Sequence, residues 1–344
     1  MPVESAPEAA SALQQGQALI PVGIGGFGLG LPEWEVDNEY FTRFVDTSDA
    51  WIQQRTGIRT RRWIRDGEKP SDLFVAAGQE ALETAGVAPE DVDMVIAGTV
   101  SGDYTVPATA CIIQDRLGCR NAGAFDLNAA CTGFVYALSL GRNFVATGQC
   151  RRVLVMGGEA LSRISDIYDR NSCVLFGDGA GAALLQPHEE CGQGLIEDIT
   201  LGADGSGYHF IMRPKGGGIE PVTPEILAEG THLLRMKGRE VYRFTVQQMT
   251  DLMAWALEGV ELDEVGVIVP HQMNKRILET CCEKLGLPLE KVYINIDRVG
   301  NTSAGTVPIC LAELQRAGRL EAGKLVVLAA FGAGLTWGAA RIRW

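Results

Sequence analysis

A chain of 344 residues, 46% of them hydrophobic and 21% charged, has the length and apolar content for one large or two smaller buried cores, which sets disorder aside. Its formal charge of −13 lacks the cationic footprint of a general nucleic-acid binder. No apolar stretch reaches membrane-spanning length free of charges and the amino terminus shows no basic-then-apolar leader; nine cysteines without paired CxxC units make no disulfide framework, so a cytoplasmic, reducing setting is expected, with no membrane and no nucleic-acid partner.

Residues 1–18, rich in Ala, Ser, Pro, Glu and Gln, read as a flexible, solvated tail. Gly23-Ile24-Gly25-Gly26-Phe27-Gly28 fits a dinucleotide-loop pattern but runs on to Leu31-Pro32-Glu33 without opening a helix, so it reads as a glycine-rich strand and turn. Residues 91–97 read as a helix end entering a buried strand. In Asp126-Leu127-Asn128-Ala129-Ala130-Cys131-Thr132-Gly133-Phe134 the apolar spacing of Val135, Ala137, Leu138 and Leu140 predicts a helix opening at Cys131. A thiol there meets the positive end of the helix dipole and unpaired N–H groups, both of which favour thiolate.

Residues 153–157 form the next buried strand, and Gly177-Asp178-Gly179-Ala180-Gly181 lacks the lysine and hydroxyl of a phosphate loop, so it reads as close backbone packing. A second helix end and strand follow at 262–269, leaving His271, after Pro270, where the strand stops. Asn301 stands in Gly300-Asn301-Thr302-Ser303-Ala304-Gly305, a tight turn leading into another apolar helix. Cys281 and Cys282, like Cys111, Cys119, Cys150, Cys173, Cys191 and Cys310, read as small packing residues. No GxSxG elbow supports a serine hydrolase, and His188, His209 and His232 have no setting comparable to His271.

An internal repeat organises these elements. Residues 91–97 match 262–269; each is followed by a helix ending in a like tripeptide, Arg116-Leu117-Gly118 and Lys284-Leu285-Gly286. Cys131 then follows the first and Asn301 the second at almost the same distance, 153–157 match 326–330, and 181–184 match 338–341. Two copies of an alternating unit imply an α/β layered fold with buried sheets, here divided into halves 19–191 and 192–344, whose equivalent helix starts meet near a pseudo-dyad.

The contexts of Cys131, His271 and Asn301 resemble those of the thiolase-like condensing enzymes, and among them β-ketoacyl-acyl carrier protein synthase III. So do Thr47-Ser48-Asp49-Ala50-Trp51-Ile52-Gln53-Gln54-Arg55-Thr56-Gly57-Ile58, Phe176-Gly177-Asp178-Gly179-Ala180-Gly181, Pro270-His271-Gln272-Met273-Asn274 and Phe331-Gly332-Ala333-Gly334-Leu335-Thr336-Trp337-Gly338. The resemblance runs from about residue 19 to the end. It implies a duplicated five-layer αβαβα sandwich, a homodimer, and no cofactor or metal, acyl-coenzyme A being a substrate. It also implies that Cys131 accepts an acyl group and that His271 and Asn301 hold the thioester carbonyl of malonyl-acyl carrier protein while carbon dioxide leaves, with the N–H groups of Cys131 and Ala333 as oxyanion hole.

By the same resemblance Trp51 and Arg170 sandwich the coenzyme A adenine; Arg55, Thr56, Gly238 and Asn274 make further coenzyme A contacts; and Arg243, Arg276 and Lys284 gather positive charge for the acidic carrier protein. Val106 stands where head-to-head condensing relatives carry a glutamate base and many chain-initiation enzymes a phenylalanine that reaches across the dimer to close the acyl pocket. Valine excludes that base and is expected to deepen the pocket. A relative that makes esters, amides or head-to-head condensed chains, a cysteine hydrolase, and a non-catalytic thioester-binding scaffold stay open as alternatives.

Overall fold

The computed structural model describes residues 18–344, so the expected tail lies, but for its last residue, outside the described residues. In chain order come strands β1 (Val22–Gly30), β2 (Trp34–Asp37) and β3 (Thr60–Trp63), with helix α1 (Asp49–Thr56) between the last two. Then follow α2 (Pro70–Ala85), β4 (Met94–Gly98), α3 (Thr109–Leu117), β5 (Gly123–Leu127), α4 (Gly133–Ala146), β6 (Val153–Ala160) and β7 (Asp178–Pro187). The second series is β8 (Leu195–Ala203), the short β9 (Ile211–Met212) and β10 (Arg235–Met236), α5 (Gly238–Leu257), β11 (Val265–Pro270), α6 (Lys275–Leu285), α7 (Thr306–Arg316), β12 (Leu325–Gly332) and β13 (Thr336–Arg343).

One sheet has the order β1-β7-β6-β4-β5 and the other β11-β12-β13-β8. Superposing the repeat pairs β4 with β11, β6 with β12, β7 with β13 and β1 with β8, so the two sheets have one topology. The fifth strand of the second sheet shrinks to a bridge between Ile268 and Val292. Strands β6 and β7 are buried at every position, as the uninterrupted apolar runs require of strands covered on both faces.

Helices α4 and α7 lie between the sheets: Phe134, Val135 and Leu138 of the first and Val307, Cys310 and Leu311 of the second share one apolar core with Val155 and Leu185 of one sheet and Val269, Val326 and Leu328 of the other. Burying each large aliphatic side chain there contributes ~1.5–3 kcal/mol. Leu73, Phe74 and Ala77 of α2 and Ile113 of α3 cover the outer face of the first sheet. Met249, Leu252 and Met253 of α5 with Ile277 and Cys281 of α6 shield the second. The layer order is therefore α, β, α, β, α.

The glycine-rich segment is strand β1, and α2 crosses it closely enough that a Cβ on Gly28 would collide with the backbone of Ala77 and Ala81. Gly181 meets Pro308 of α7 in the same way, which accounts for the Gly177–Gly181 run without any phosphate. Of the nine free cysteines, Cys111 departs from the packing expectation: it is exposed on the outward side of α3.

Candidate active site

The central helices do not begin at the reactive residues. Each is preceded by a single tight turn, Ala130–Thr132 before α4 and Ser303–Gly305 before α7, and each turn opens on a residue with positive φ, 47° at Ala130 and 51° at Ser303. Aligned on these turns, the dyad mate of Asn301 is Asn128 and that of Cys131 is Ala304. The near-equal spacing of Cys131 and Asn301 in sequence thus does not make them equivalent, because the loops leading into the two turns differ in length.

Cys131, His271 and Asn301 open on one cavity of about 510 Å³ whose wall includes Leu161, Ile164, Phe176, Met212 and Val241. Asn301 arrives from the second half but is bolted to the first: its N–H donates to the Leu175 carbonyl at 2.9 Å and its own carbonyl accepts the Gly177 N–H at 3.0 Å. Its side-chain Oδ1 accepts the Ser303 N–H at 2.8 Å, which leaves the Nδ2 group as a donor to the cavity. Gly300 allows this turn, since its φ is +69° and a Cβ there would sit 3.0 Å from Arg61 Cβ.

His271 continues the β11 ladder, its N–H reaching the Ala329 carbonyl at 2.8 Å, and the Phe331 ring packs edgewise against its imidazole at 5.8 Å between centroids. The Thr306 hydroxyl has two partners in reach, His271 Nδ1 at 2.7 Å and the Ser303 carbonyl at 3.0 Å. The Thr306 hydroxyl thereby holds Nδ1 inside the protein, and Nε2 is the ring nitrogen left to the cavity. Burial pushes its pKa down to about 3, so the ring is neutral at any ordinary pH.

The helix end is not the only influence on Cys131. Burial pushes its thiol up to about 12; next in size the Ser303 hydroxyl pulls it down, the Glu159 carboxylate pushes it up and the local backbone N–H pulls it down. Loss of hydration thus opposes the partial charge of the helix end. Beside it, no acceptor among the described residues takes the backbone N–H of Cys131 or of Ala333. Gly332 packs so closely that a Cβ would lie 2.8 Å from the Cys131 nitrogen, which brings the β12–β13 turn against that N–H.

Residues 256–344 match the family model for the 3-oxoacyl-[acyl-carrier-protein (ACP)] synthase III C terminal, and residues 125–205 that for 3-oxoacyl-[acyl-carrier-protein (ACP)] synthase III. A β-ketoacyl-[acyl-carrier-protein] synthase III of Symbiobacterium thermophilum is 45% identical over 326 residues, covering 94% of this chain and 98% of the relative. The chain belongs to the β-ketoacyl-acyl carrier protein synthase III family. The crystal structure of 3-oxoacyl-[acyl-carrier-protein] synthase III from Aquifex aeolicus VF5 superposes with a TM-score of 0.86 at 38% identity, over 94% of this chain and all of that one. The priming β-ketosynthase of the R1128 polyketide pathway superposes at 0.85 with 32% identity, over 99% of each chain. The fold expectation, a thiolase-like sandwich, and the enzyme class, a condensing acyltransferase, both stand.

Seen as a synthase III, the molecule places the other expected residues as follows. The Arg170 guanidinium lies 4.2 Å from the centre of the Trp51 ring, and Arg55 lies 5.8 Å from it, so the expected adenine clamp is closed on itself. Gly238 and Asn274 line the cavity, and Asn274 Nδ2 donates to the Arg55 carbonyl at 3.0 Å. Thr56 is buried, its hydroxyl donating to the Ile52 carbonyl and accepting the Ile58 N–H; it shapes the end of α1 and has no hydroxyl hydrogen to spare for a ligand. Arg243, Arg276 and Lys284 are exposed on the adjoining helices α5 and α6, and none has a carboxylate within ion-pair distance among the described residues. Val106 is 84% exposed and does not line the cavity of its own subunit. Its loop projects beside the open edge of β5, so it could reach a cavity only across a dimer.

Three site residues escaped the sequence reading. Thr306, which orients His271, carried no signal beyond being a helix-start threonine. Ser303 lay inside a quoted motif without a role. Glu159 did carry one: it ends the otherwise apolar run Val153-Leu154-Val155-Met156-Gly157-Gly158, and an acid in a fully buried strand needs a reason.

Proposed function

We propose that the protein starts fatty-acid chains by moving an acyl group from acyl-coenzyme A to Cys131 and condensing it with malonyl-acyl carrier protein. The observation that carries the assignment is the convergence, on one cavity, of a thiol from the first half with two neutral, oriented groups from the second, the His271 ring through Nε2 and the Asn301 amide through Nδ2. In the first step Cys131 Sγ attacks the acyl carbonyl and coenzyme A leaves, the oxyanion being held by the N–H groups of Cys131 and Ala333. In the second, the two donors bind the malonyl thioester oxygen and stabilise the enolate left by carbon dioxide. Its carbon then attacks the acyl-cysteine and releases a β-ketoacyl-carrier protein. A preorganised donor at such a developing charge commonly contributes ~3 kcal/mol.

We place the carrier protein's acidic surface on Arg243, Arg276 and Lys284, the adenine between Trp51 and Arg170, and the working enzyme in the cytoplasm. A homodimer is supported by β5, which leaves one edge of the first sheet unpaired, and by Tyr104 and Val106, 64% and 84% exposed in the loop next to it. Pairing β5 with a second copy would cover that edge.

The test is intact-protein and peptide mass spectrometry after incubation with a panel of acyl-coenzyme A thioesters. Cys131→Ala should lose the acyl adduct and keep some malonyl decarboxylation; Asn301→Ala should acylate normally and condense ~10²–10³-fold more slowly. Label on another cysteine, or condensation by Cys131→Ala, would show the assignment to be wrong.

A further inference from the structure

The thiol of Cys131 must lose a proton during acylation, while the condensation proposed above needs His271 to keep a hydrogen on Nε2 as a donor. Another acceptor is close at hand. Ser303 lines the cavity with Cys131, its hydroxyl lowers the thiol's pKa, and it lies 3.4 Å from Glu159 Oε1. Glu159, at the end of β6, is wholly enclosed. Its Oε2 accepts from the Thr99 hydroxyl at 3.0 Å, the Val100 N–H at 3.0 Å and the Ser101 hydroxyl at 2.5 Å, whereas Oε1 has only a 3.2 Å contact with the same Val100 N–H besides Ser303. Oε1 is thus the oxygen with room for a hydrogen, and it faces the serine.

No cation pairs with this carboxyl among the described residues. The titratable group facing it from the Cys131 turn is the thiol itself. From β7, whose Gly179 sits opposite Glu159, the nearest is Asp178, whose carboxylate is engaged by the Ser162 hydroxyl and N–H and by the Ile64 N–H. Burial raises Glu159 to about 7, so the carboxyl can take up and release a proton near neutrality.

We propose that Ser303 and Glu159 form a proton relay that takes the thiol hydrogen of Cys131 during acylation and returns it after condensation. This rests on Cys131 being the acyl acceptor. As Sγ bonds to the acyl carbon, its proton passes to Ser303 Oγ while the Ser303 hydrogen moves to Glu159 Oε1; the acyl carbon–sulfur bond to coenzyme A breaks, and the departing thiolate takes a proton from solvent. When the malonyl-derived carbanion attacks the acyl-cysteine, Cys131 leaves as thiolate and is reprotonated from Glu159 through Ser303. One solvent proton is consumed per turnover, at coenzyme A, and His271 keeps its Nε2 hydrogen throughout. Ser303 and Glu159 are positioning residues that act through Cys131.

The experiment is the pH profile of Cys131 alkylation by iodoacetamide, from about pH 5.5 to about 9.5, in full-length wild type, Ser303→Ala and Glu159→Gln, read at the Cys131 peptide by mass spectrometry. Decarboxylation of a malonyl thioester by the same proteins is measured beside it. The wild type should show a step in alkylation rate near neutrality; both variants should lose the step and react at least ~10-fold more slowly above it, with decarboxylation unchanged within ~2-fold. If Glu159→Gln does not fold, Ser303→Ala decides alone. A Ser303→Ala profile that overlays the wild type overturns the relay, and so does a parallel loss of decarboxylation, which would mark a structural role. Acyl label found on another cysteine would refute the nucleophile assignment instead, a separate result.

Discussion

Removing Trp51 tests the coenzyme A end of the site, and the closed clamp sets the size of the effect. With the Arg170 guanidinium 4.2 Å from the ring centre, no base fits between them, so binding must first separate the pair by about the thickness of an aromatic ring. That gives up a partly exposed cation–π contact of ~0.5–1 kcal/mol. Stacking the adenine contributes ~1–3 kcal/mol. The difference, about 1–2 kcal/mol, predicts that Trp51→Ala raises KM for acyl-coenzyme A roughly 5–30-fold. Arg170→Ala removes the same contact but leaves the Trp51 ring to stack the adenine, so its effect should be smaller. The assay compares acyl-coenzyme A with the same acyl group on pantetheine, which lacks adenine; acylation from pantetheine should be nearly unaffected in both variants. Equal losses on the two donors would refute the clamp.

Other outcomes can be checked as directly. Val106→Phe should narrow the range of acyl-coenzyme A donors if the loop closes a partner's cavity, each excluded methylene removing up to ~0.8 kcal/mol; an unchanged donor series would remove Val106 from pocket depth. Reversing the charge of Arg243, Arg276 and Lys284 together should raise KM for the malonyl-carrier protein while leaving Cys131 acylation unchanged, and added salt should weaken the wild type toward the variant. Folded Glu159 titrates at about 7 against an ordinary 4.5, so its protonation stabilises the fold fully below about pH 4.5 and the contribution is lost as pH rises through about 7. In urea titrations the stability of wild type relative to Glu159→Gln should therefore fall by about 3 kcal/mol over that window, and a flat difference would contradict a buried, proton-holding carboxyl.

Strands β4, β6, β11 and β12 were legible because sheets covered on both faces demand unbroken apolar runs, and the repeat was legible because both copies answer the same demand. The positions of Cys131, His271 and Asn301 were legible because each sits at an element end in a context dense with small residues. What the sequence hid is three-dimensional. Spacing along the chain counts loop residues that the dyad does not, so Asn301 was matched to Cys131 when its mate is Asn128. A helix end favours a thiolate, but the loss of hydration that opposes it comes from segments far away in the chain, among them the β12–β13 turn at Gly332. Thr56, read as a ligand contact from its motif, spends its hydroxyl on its own helix end.

The paired turns with positive φ carry a consequence for how this catalyst could change over evolution or by design. Duplication ordinarily provides a spare copy, free to vary while the other keeps working. Here Ala304, the mate of the nucleophile, is almost fully enclosed, its carbonyl lying where a Cβ of Gly157 would go. A second thiol at that place would open on no substrate, and the first turn has no means of replacing a lost Asn301. Symmetry of the scaffold therefore confers no redundancy: on the proposed chemistry each half is a specialist, one in storing the acyl group and the other in stabilising charge, and a lesion in either slows or stops the whole cycle.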